Sequence, residues 1–164
     1  MKKLYLILFL SLLHIRVGLC PNTTNQQKQR LTFLAEKHLF LKEVYNSSLT
    51  PELLKQALYY EEILHPDIVY RQILLETGYL TSDMLWRNNN LTGMRYARVR
   101  QTTAVKKVQG HAYYHHWFDA VKDYRYFQEW YIKRGYDLTD YLQFLVEIGY
   151  ATDKNYISKL KSVC

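Results

Sequence analysis

The stretch RQILLETGYLTSDMLWRNNNLTGMRY, residues 71–96, runs from an apolar helical pattern through a glycine into a loop with three consecutive asparagines. The apolar residues that follow Pro66 recur at helical spacing, and Gly78 is the residue type suited to a left-handed cap at a helix C-terminus. We therefore predict a helix that ends at Glu76. This places a carboxylate between the end of a helix and a polar loop.

Helical patterns extend to both sides of this stretch. Upstream, Leu31 and Leu34 belong to an apolar face that recurs at three- and four-residue steps over residues 29–45. Thr50 and Pro51 have the N-cap and first-turn residue types of a second helix. Further helices are predicted over 82–86, over 118–134, after Thr139 with Leu142, Leu145 and Val146 facing inward until Gly149, and after Thr152-Asp153.

Helical periodicity stops between residues 91 and 116. Short alternating stretches at 96–100 and 105–114, around Gly110, are typical of a small β-hairpin. The predicted fold class is therefore mainly α (α+β), a helical domain with a small β-hairpin lobe.

The N-terminus has the order of an export signal. Two lysines precede an apolar run over residues 4–13, and Gly18-Leu19-Cys20 follows it. The run is about half of the roughly 20 residues that a membrane-spanning helix needs. We expect residues 1–20 to be a signal peptide and residues 21–164 to form a single domain in the periplasm, the cell envelope or the extracellular space. A lipoprotein-type signal, with a lipid on Cys20, remains an alternative and would be the one route to a membrane.

The charge and the histidines of the chain bear on whether it binds nucleic acid or a metal ion. The chain has 22 basic and 15 acidic residues, a formal charge of +7, spread along the sequence rather than clustered. Together with export, this spread argues against nucleic acid as a partner. His111 and His115 are four residues apart, but their segment is predicted to be a strand that leads into a turn, and no fitting Asp, Glu or Cys completes a set of ligands with them and His116. We therefore expect no metal and no cofactor. We expect a monomer.

Four short motifs, in this order, resemble the glucosaminidase domain of bacterial autolysins, glycoside hydrolase family 73. They are LETG at 75–78, NNLTGMR at 89–95, FDAVKDY at 118–124 and GYATD at 149–153. The resemblance spans about residues 30 to 163. It implies a lysozyme-like fold with a cleft between a helical body and a β-lobe. It also implies hydrolysis of the β-1,4 bond between N-acetylglucosamine and N-acetylmuramic acid, with peptidoglycan glycan strands as the partner.

The resemblance makes Glu76 the predicted general acid. A glycosidic oxygen leaves only when it is protonated, so the acid must keep its proton near neutral pH. Burial against neighbours such as Leu75, Tyr79 or Trp86 would raise its pKa, and the negative end of the helix dipole acts in the same direction. Tyr150 matches the family's functional tyrosine. It would orient the substrate's acetamido group or stabilise the oxocarbenium ion.

The second catalytic group stays open. Most glycosidases use a pair of carboxylates, and family members often place a glutamate in the lobe, but Asp83 is the sole acidic residue between Thr77 and Phe118. One alternative is that Asp83, Asp119 or Asp123 reaches the cleft. Others are a water positioned by polar groups and attack by the substrate's own 2-acetamido oxygen. We favour the last, because the N-acetylglucosamine substrate carries the required group.

Substrate binding is assigned to asparagines and aromatic rings. Asn89 and Asn90 match the family motif, whereas asparagine runs also form turns by bonding to local backbone. Trp117 and Tyr114 are candidate stacking platforms for sugar rings, with core packing as the alternative. A lytic transglycosylase or muramidase on the same fold, and a degenerate domain that binds peptidoglycan or a partner, remain alternative functions.

Overall fold

The computed structural model describes residues 24–163, and these form seven helices and one two-stranded antiparallel sheet. The predicted class, mainly α with a small β-hairpin, is confirmed. The export signal and the alternative lipid on Cys20 lie outside the described residues. The elements are α1 (Asn25–Val44), α2 (Pro51–Tyr60), α3 (Pro66–Glu76), α4 (Asp83–Asn88), β1 (Lys106–Val108), β2 (His111–Tyr113), α5 (Trp117–Ile132), α6 (Tyr141–Glu147) and α7 (Tyr156–Ser162).

The chain divides into two units, of which the structure describes residues 24–42 and residues 43–163. In the first unit, α1 confirms the predicted helix but begins four residues earlier, at Asn25. Leu31 and Leu34 are 47% and 46% exposed. The face predicted to be buried is therefore open at these two positions.

The helix boundaries around α2 and α3 follow the local chemistry that the sequence indicates. The Thr50 hydroxyl accepts the Leu53 N–H at 3.2 Å, and Pro51 opens α2 without the loss of a hydrogen bond. Helix α3 ends at Glu76 as predicted, and Gly78 adopts a φ of 54°. No described helix is long and apolar enough to cross a membrane.

Helix α6 starts one residue later than predicted. Its N-cap is Asp140, whose carboxylate accepts the Gln143 N–H at 3.0 Å, rather than Thr139. The buried residues of α6 are Tyr141, Phe144 and Leu145, so the inward position of Leu145 is confirmed, whereas Val146, predicted to face inward, is 56% exposed.

The hairpin is smaller than predicted. Strands β1 and β2 pair through Lys107 and Ala112, and Gln109 and Gly110, with φ of 49° and 89°, form a two-residue turn. The stretch 105–114 is thus confirmed as a hairpin. The strand predicted over 96–100 is wrong, because this segment forms bends that bring the Arg100 guanidinium to a buried partner on α5.

Helix α5 carries the largest share of the core of the second unit. Its Phe118, Val121 and Tyr124 are at most 1% exposed. Phe127 of the same helix packs edge-to-face against Phe144 of α6, with ring centroids 6.3 Å apart. The core is aromatic, and several of its rings carry hydroxyls that must find partners when they are buried.

Candidate active site

Glu76 lies where α3 ends and the chain reverses. The next residue, Thr77, closes the helix with its N–H and its hydroxyl, which donate to the Ile73 carbonyl at 3.0 and 2.6 Å. Residues 78–80 then adopt positive φ of 54°, 58° and 66°. Left-handed backbone is strained for the two side-chain-bearing residues of this turn, Tyr79 and Leu80. The Thr77 hydroxyl accepts the Leu80 N–H at 3.0 Å and holds the turn in place.

The Glu76 carboxyl has neighbours far along the chain. A Cβ built on Gly93 would lie 3.6 Å from Glu76 Oε2. The Tyr156 hydroxyl hydrogen-bonds the carboxyl, and Tyr150 interacts with it electrostatically. The apolar neighbours predicted to cover it do not do so: Tyr79 and Trp86 are 62% and 60% exposed. Glu76 itself remains accessible to solvent.

These surroundings favour a neutral carboxyl. Burial raises the pKa of Glu76 above its usual value, and the hydrogen bond from Tyr156 opposes this rise to a smaller extent. Burial, together with the nearby Tyr156 and Glu76, also raises the pKa of Tyr150 well above the usual value. Glu76 can therefore serve as a proton donor closer to neutral pH, while Tyr150 stays protonated.

Tyr150 joins two parts of the site. Its hydroxyl donates to the Thr92 carbonyl at 3.3 Å. Its ring packs on Tyr156 and edge-to-face on Phe127, at centroid distances of 5.7 and 6.1 Å. The structure thus brings the two predicted catalytic residues, Glu76 and Tyr150, into one cluster with the loop at residues 92–93.

The asparagine run builds this loop. Asn90 is 1% exposed, and its amide nitrogen donates to the carbonyls of Met94 and Ala112 at 2.9 and 3.0 Å. Its oxygen accepts the N–H groups of Met94 and Thr92. Asn90 therefore has no free polar atom for a sugar, contrary to the prediction, and its effect on the site is to shape the loop that carries Gly93.

Asn89 and Trp117 meet at a different place. Asn89 caps α4 in the left-handed conformation, and its amide donates to the carbonyls of Tyr114 and His115. Trp117 is 4% exposed and donates from Nε1 to the Ser47 carbonyl at 3.2 Å. Both line a surface pocket of about 340 Å³, whose other walls include Tyr45, Ser47, Trp86 and His116.

Tyr114 corrects the prediction of a stacking platform. Its side chain is fully buried, and its hydroxyl donates to Asp123 Oδ2 at 2.8 Å. This hydrogen bond stabilises the buried Asp123 carboxylate, because a charge removed from water must be compensated by hydrogen-bond donors and opposite charge. Tyr114 therefore presents no face to a ligand.

The candidate second carboxylates are engaged elsewhere. Asp123 is fully buried, and its two oxygens accept hydrogen bonds from the two terminal nitrogens of the Arg100 guanidinium at 2.9 and 2.8 Å. Asp119 accepts the Tyr45 hydroxyl at 2.8 Å. Asp83 forms an exposed pair with Arg87 at 3.4 Å. Each of these three carboxylates therefore has a hydrogen-bond or ion-pair partner of its own among the described residues.

The histidines have structural partners. His111 Nδ1 bonds the Gly93 carbonyl at 2.9 Å, and His116 accepts the Phe118 N–H as the N-cap of α5. Over residues 24–163, no group of three potential ligands could hold a metal ion.

Two residues beside Glu76 were missed by sequence reasoning. They are Tyr156, in the helix predicted after Thr152-Asp153, and Gln72, in the helix predicted to end at Glu76, and the sequence analysis gave neither a role in the site. Gln72 precedes Glu76 by four residues, which places the two on the same side of the helix. A glutamine inside an otherwise apolar helix face was the available signal, because such an amide needs a polar partner.

Comparisons with known proteins gave one match. The glucosaminidase family model, described as mannosyl-glycoprotein endo-beta-N-acetylglucosaminidase, matches residues 53–164. This range contains Glu76, Tyr150, Tyr156 and the loop around Gly93. Neither the curated proteins nor the solved structures gave a match.

Proposed function

The chain belongs to the glucosaminidase family of glycoside hydrolases, and we propose from this premise that it is an exported cell-wall hydrolase. Its substrate would be the glycan strand of peptidoglycan. The bond cleaved would be the β-1,4 linkage between N-acetylglucosamine and N-acetylmuramic acid. The observation that carries the proposal is the solvent-accessible carboxyl of Glu76, held beside Gly93, Tyr150 and Tyr156 with its pKa raised by burial.

Glu76 is the general acid in this proposal. Its proton passes to the glycosidic oxygen as the bond to the anomeric carbon breaks, which converts a poor leaving group into a neutral alcohol. The raised pKa supports this role, because it increases the protonated fraction near neutral pH. Activity should therefore fall on the alkaline side as Glu76 loses its proton.

The nucleophile is the substrate's own 2-acetamido oxygen. This oxygen attacks the anomeric carbon as the leaving group departs, and forms a cyclic oxazolinium ion. Water then opens the ring and gives up a proton to the Glu76 carboxylate, which restores the acid. The engagement of Asp83, Asp119 and Asp123 in other contacts supports this route.

Tyr150 orients the acetamido group or stabilises the positive charge that develops on the sugar. Its raised pKa supports a neutral hydroxyl, whose proton is held by the Thr92 carbonyl and whose oxygen is left to accept the acetamido N–H or to face the developing positive charge. In the pocket that Asn89 and Trp117 line, the amide nitrogen of Asn89 is held by backbone carbonyls and Trp117 is 4% exposed, so the exposed ring of Trp86 is the face that suits a sugar of the same strand.

Digestion of purified peptidoglycan, followed by borohydride reduction and mass spectrometry of the new ends, tests the proposal. Wild type should give reduced N-acetylglucosamine ends, and Glu76→Gln should release at least about a hundredfold fewer. Reduced muramic acid ends would indicate a muramidase, and anhydromuramic acid ends a lytic transglycosylase, which the lone carboxyl also fits. Binding to sacculi without any release would overturn the catalytic proposal.

A further inference from the structure

A chain of buried polar side chains runs through the core toward Glu76. Its members are the hydroxyls of three tyrosines and the amides of two glutamines, each at most 7% exposed. They belong to α3, α5, α6 and α7, so the chain crosses the helical body. The members are Gln72, Tyr124, Gln128, Tyr141 and Tyr156.

The far end of the chain has a fixed orientation. The Leu64 N–H donates to Gln128 Oε1 at 2.9 Å, and Gln128 Nε2 donates to the Leu64 carbonyl at 2.9 Å. A backbone N–H can only donate and a carbonyl can only accept, so the two amide atoms of Gln128 cannot be exchanged. Its Nε2 therefore also faces Tyr141, and donates to the Tyr141 hydroxyl oxygen at 3.0 Å.

The donor–acceptor direction set at Gln128 determines the direction of each following hydrogen bond in the chain. Each tyrosine hydroxyl has one proton to donate. Tyr141 donates its proton to Tyr124, 2.6 Å away, and Tyr124 donates to Gln72 Oε1 at 2.8 Å. The other atom of that amide, Gln72 Nε2, is left to donate to the Tyr156 oxygen at 3.3 Å.

The last step reaches the candidate acid. Because the Tyr156 oxygen accepts from Gln72, its own proton points away from the amide and is free for the Glu76 carboxyl. Tyr150, the other titratable group that faces Glu76, uses its proton on the Thr92 carbonyl. Gly93 contributes no side chain.

We propose that Tyr156 is a positioning residue for Glu76, and that the hydrogen-bond chain anchored on the Leu64 backbone fixes the direction in which the Tyr156 hydroxyl donates. This inference rests on the proposed role of Glu76 as the acid. The donated hydrogen bond holds the carboxyl in one orientation and stabilises the carboxylate left after proton transfer to the leaving group. The opposite end of the chain lies at Leu64, in the connection between α2 and α3.

Carbon-13 NMR of the glutamate side-chain carboxyls tests the proposal without any need for turnover. The Glu76 signal is assigned as the one absent from Glu76→Gln, and is titrated in the full chain. In Tyr156→Phe the pKa of Glu76 should rise by about one pH unit, because a donor to the carboxylate is lost. Tyr124→Phe keeps the ring of Tyr156 but removes the donor to Gln72, and should give a smaller rise in the same direction.

Tyr114→Phe is the matched control, since it also deletes a buried tyrosine hydroxyl, but one that donates to Asp123. The pKa of Glu76 should be unchanged in this variant. The proposal is overturned if the pKa of Glu76 is the same as in wild type in both Tyr156→Phe and Tyr124→Phe, and Tyr124→Phe alone decides it if Tyr156→Phe does not fold.

On peptidoglycan, Tyr156→Phe should move the alkaline limb of the pH–kcat profile to higher pH. A protein that shows the NMR shifts without hydrolysis would contradict the proposed function and leave the Tyr156 contact standing.

Discussion

Glu76 and Glu147 are each the last residue of a helix, α3 and α6, but their surroundings differ. Glu147 is exposed and accepts a hydrogen bond from Gln143 at 3.3 Å. Glu76 points toward Gly93, Tyr150 and Tyr156 and loses part of its hydration there. Two glutamates at the same position of a helix therefore differ in their neighbours, and the neighbours of Glu76 are supplied by the tertiary structure.

Glu76→Gln should stabilise the protein at neutral pH. The folded-state pKa of Glu76 is raised above the usual 4.5, so the folded state binds this proton more tightly than the unfolded state. The free energy of unfolding therefore falls as the pH rises from the pKa of Glu76 in the unfolded state through its pKa in the folded state. A glutamine at position 76 does not ionise, so the variant does not lose this stability. The variant should have a higher Tm than wild type at pH 7, with the difference shrinking toward pH 4.

Glu147→Gln provides the control, because it removes a helix-terminal carboxylate while the contacts of Glu76 stay intact. Its Tm relative to wild type should not follow the Glu76→Gln pattern. A Glu76→Gln protein that melts below wild type at pH 7 would contradict a destabilising carboxylate at this position.

Trp86 is a surface residue with a testable binding role. Its side chain is 60% exposed at the pocket that Asn89 and Trp117 also line. Trp86→Ala should weaken binding of peptidoglycan fragments by about fivefold, since a lost ring contact is worth about 1 kcal/mol. Isothermal titration with the inactive Glu76→Gln background measures this. Val99→Ala, at a position 77% exposed, is the control, and equal affinities in the two variants would argue against the pocket.

At the scale of elements, a buried ion pair attaches the segment before the hairpin to α5. The side chains of Arg100 and Asp123 are 7% and 0% exposed and join at 2.8 Å. The Thr103 N–H and the Tyr114 hydroxyl also donate to the same carboxylate. The segment predicted as a strand over 96–100 is therefore held by the side chain of Asp123 rather than by strand pairing.

Arg100→Met should destabilise the protein by about 3–5 kcal/mol, because it leaves the Asp123 charge buried without its partner. Urea denaturation of the purified variant measures the change. The double variant Arg100→Met with Asp123→Leu should recover part of the loss, since no unpaired charge then remains. Arg87→Met, which breaks the exposed pair with Asp83, should cost less than about 1 kcal/mol. Equal losses in the two single variants would count against a buried pair.

At the scale of the whole molecule, basic residues are spread along the chain but acidic residues are not. Residues 84–118 contain no aspartate or glutamate. Four cationic side chains of this region are exposed, and among the described residues none of the four forms an ion pair with a carboxylate. They are Arg95, Arg98, Lys106 and Lys107. The hairpin region is therefore a basic surface on a chain whose overall charge is +7.

Binding to peptidoglycan should therefore depend on salt, because its stem peptides carry carboxylates. Lys106→Glu with Lys107→Glu should weaken pelleting with sacculi and reduce the salt dependence. Lys154→Glu with Lys161→Glu alters net charge by the same amount at exposed positions elsewhere. If both double variants bind equally, net charge rather than the basic hairpin region decides the affinity.

The sequence by itself determined the elements whose signals are local. Thr50 and Pro51 at the start of α2, and Glu76 and Gly78 at the end of α3, were predictable because capping and left-handed backbone depend on residues within one turn. The hairpin turn at Gln109-Gly110 belongs to the same class. Glu76 and Tyr150 were chosen from sequence through the motifs that resemble a known family, and the structure places them in one cluster.

Only the tertiary structure decided what the polar side chains bond to. Asn90 and Tyr114 resemble ligand-binding residues in the sequence, but Asn90 supports a loop and Tyr114 donates a hydrogen bond to the buried carboxylate of Asp123. Tyr156 had no predicted role in the site, and its hydroxyl interacts with Glu76. A polar group's partner lies wherever the fold brings a complementary atom within about 3 Å, and such contacts join residues far apart in the chain. Local patterns therefore predict where helices begin and end, whereas the direction of a buried hydrogen-bond chain exists only once the helices have packed.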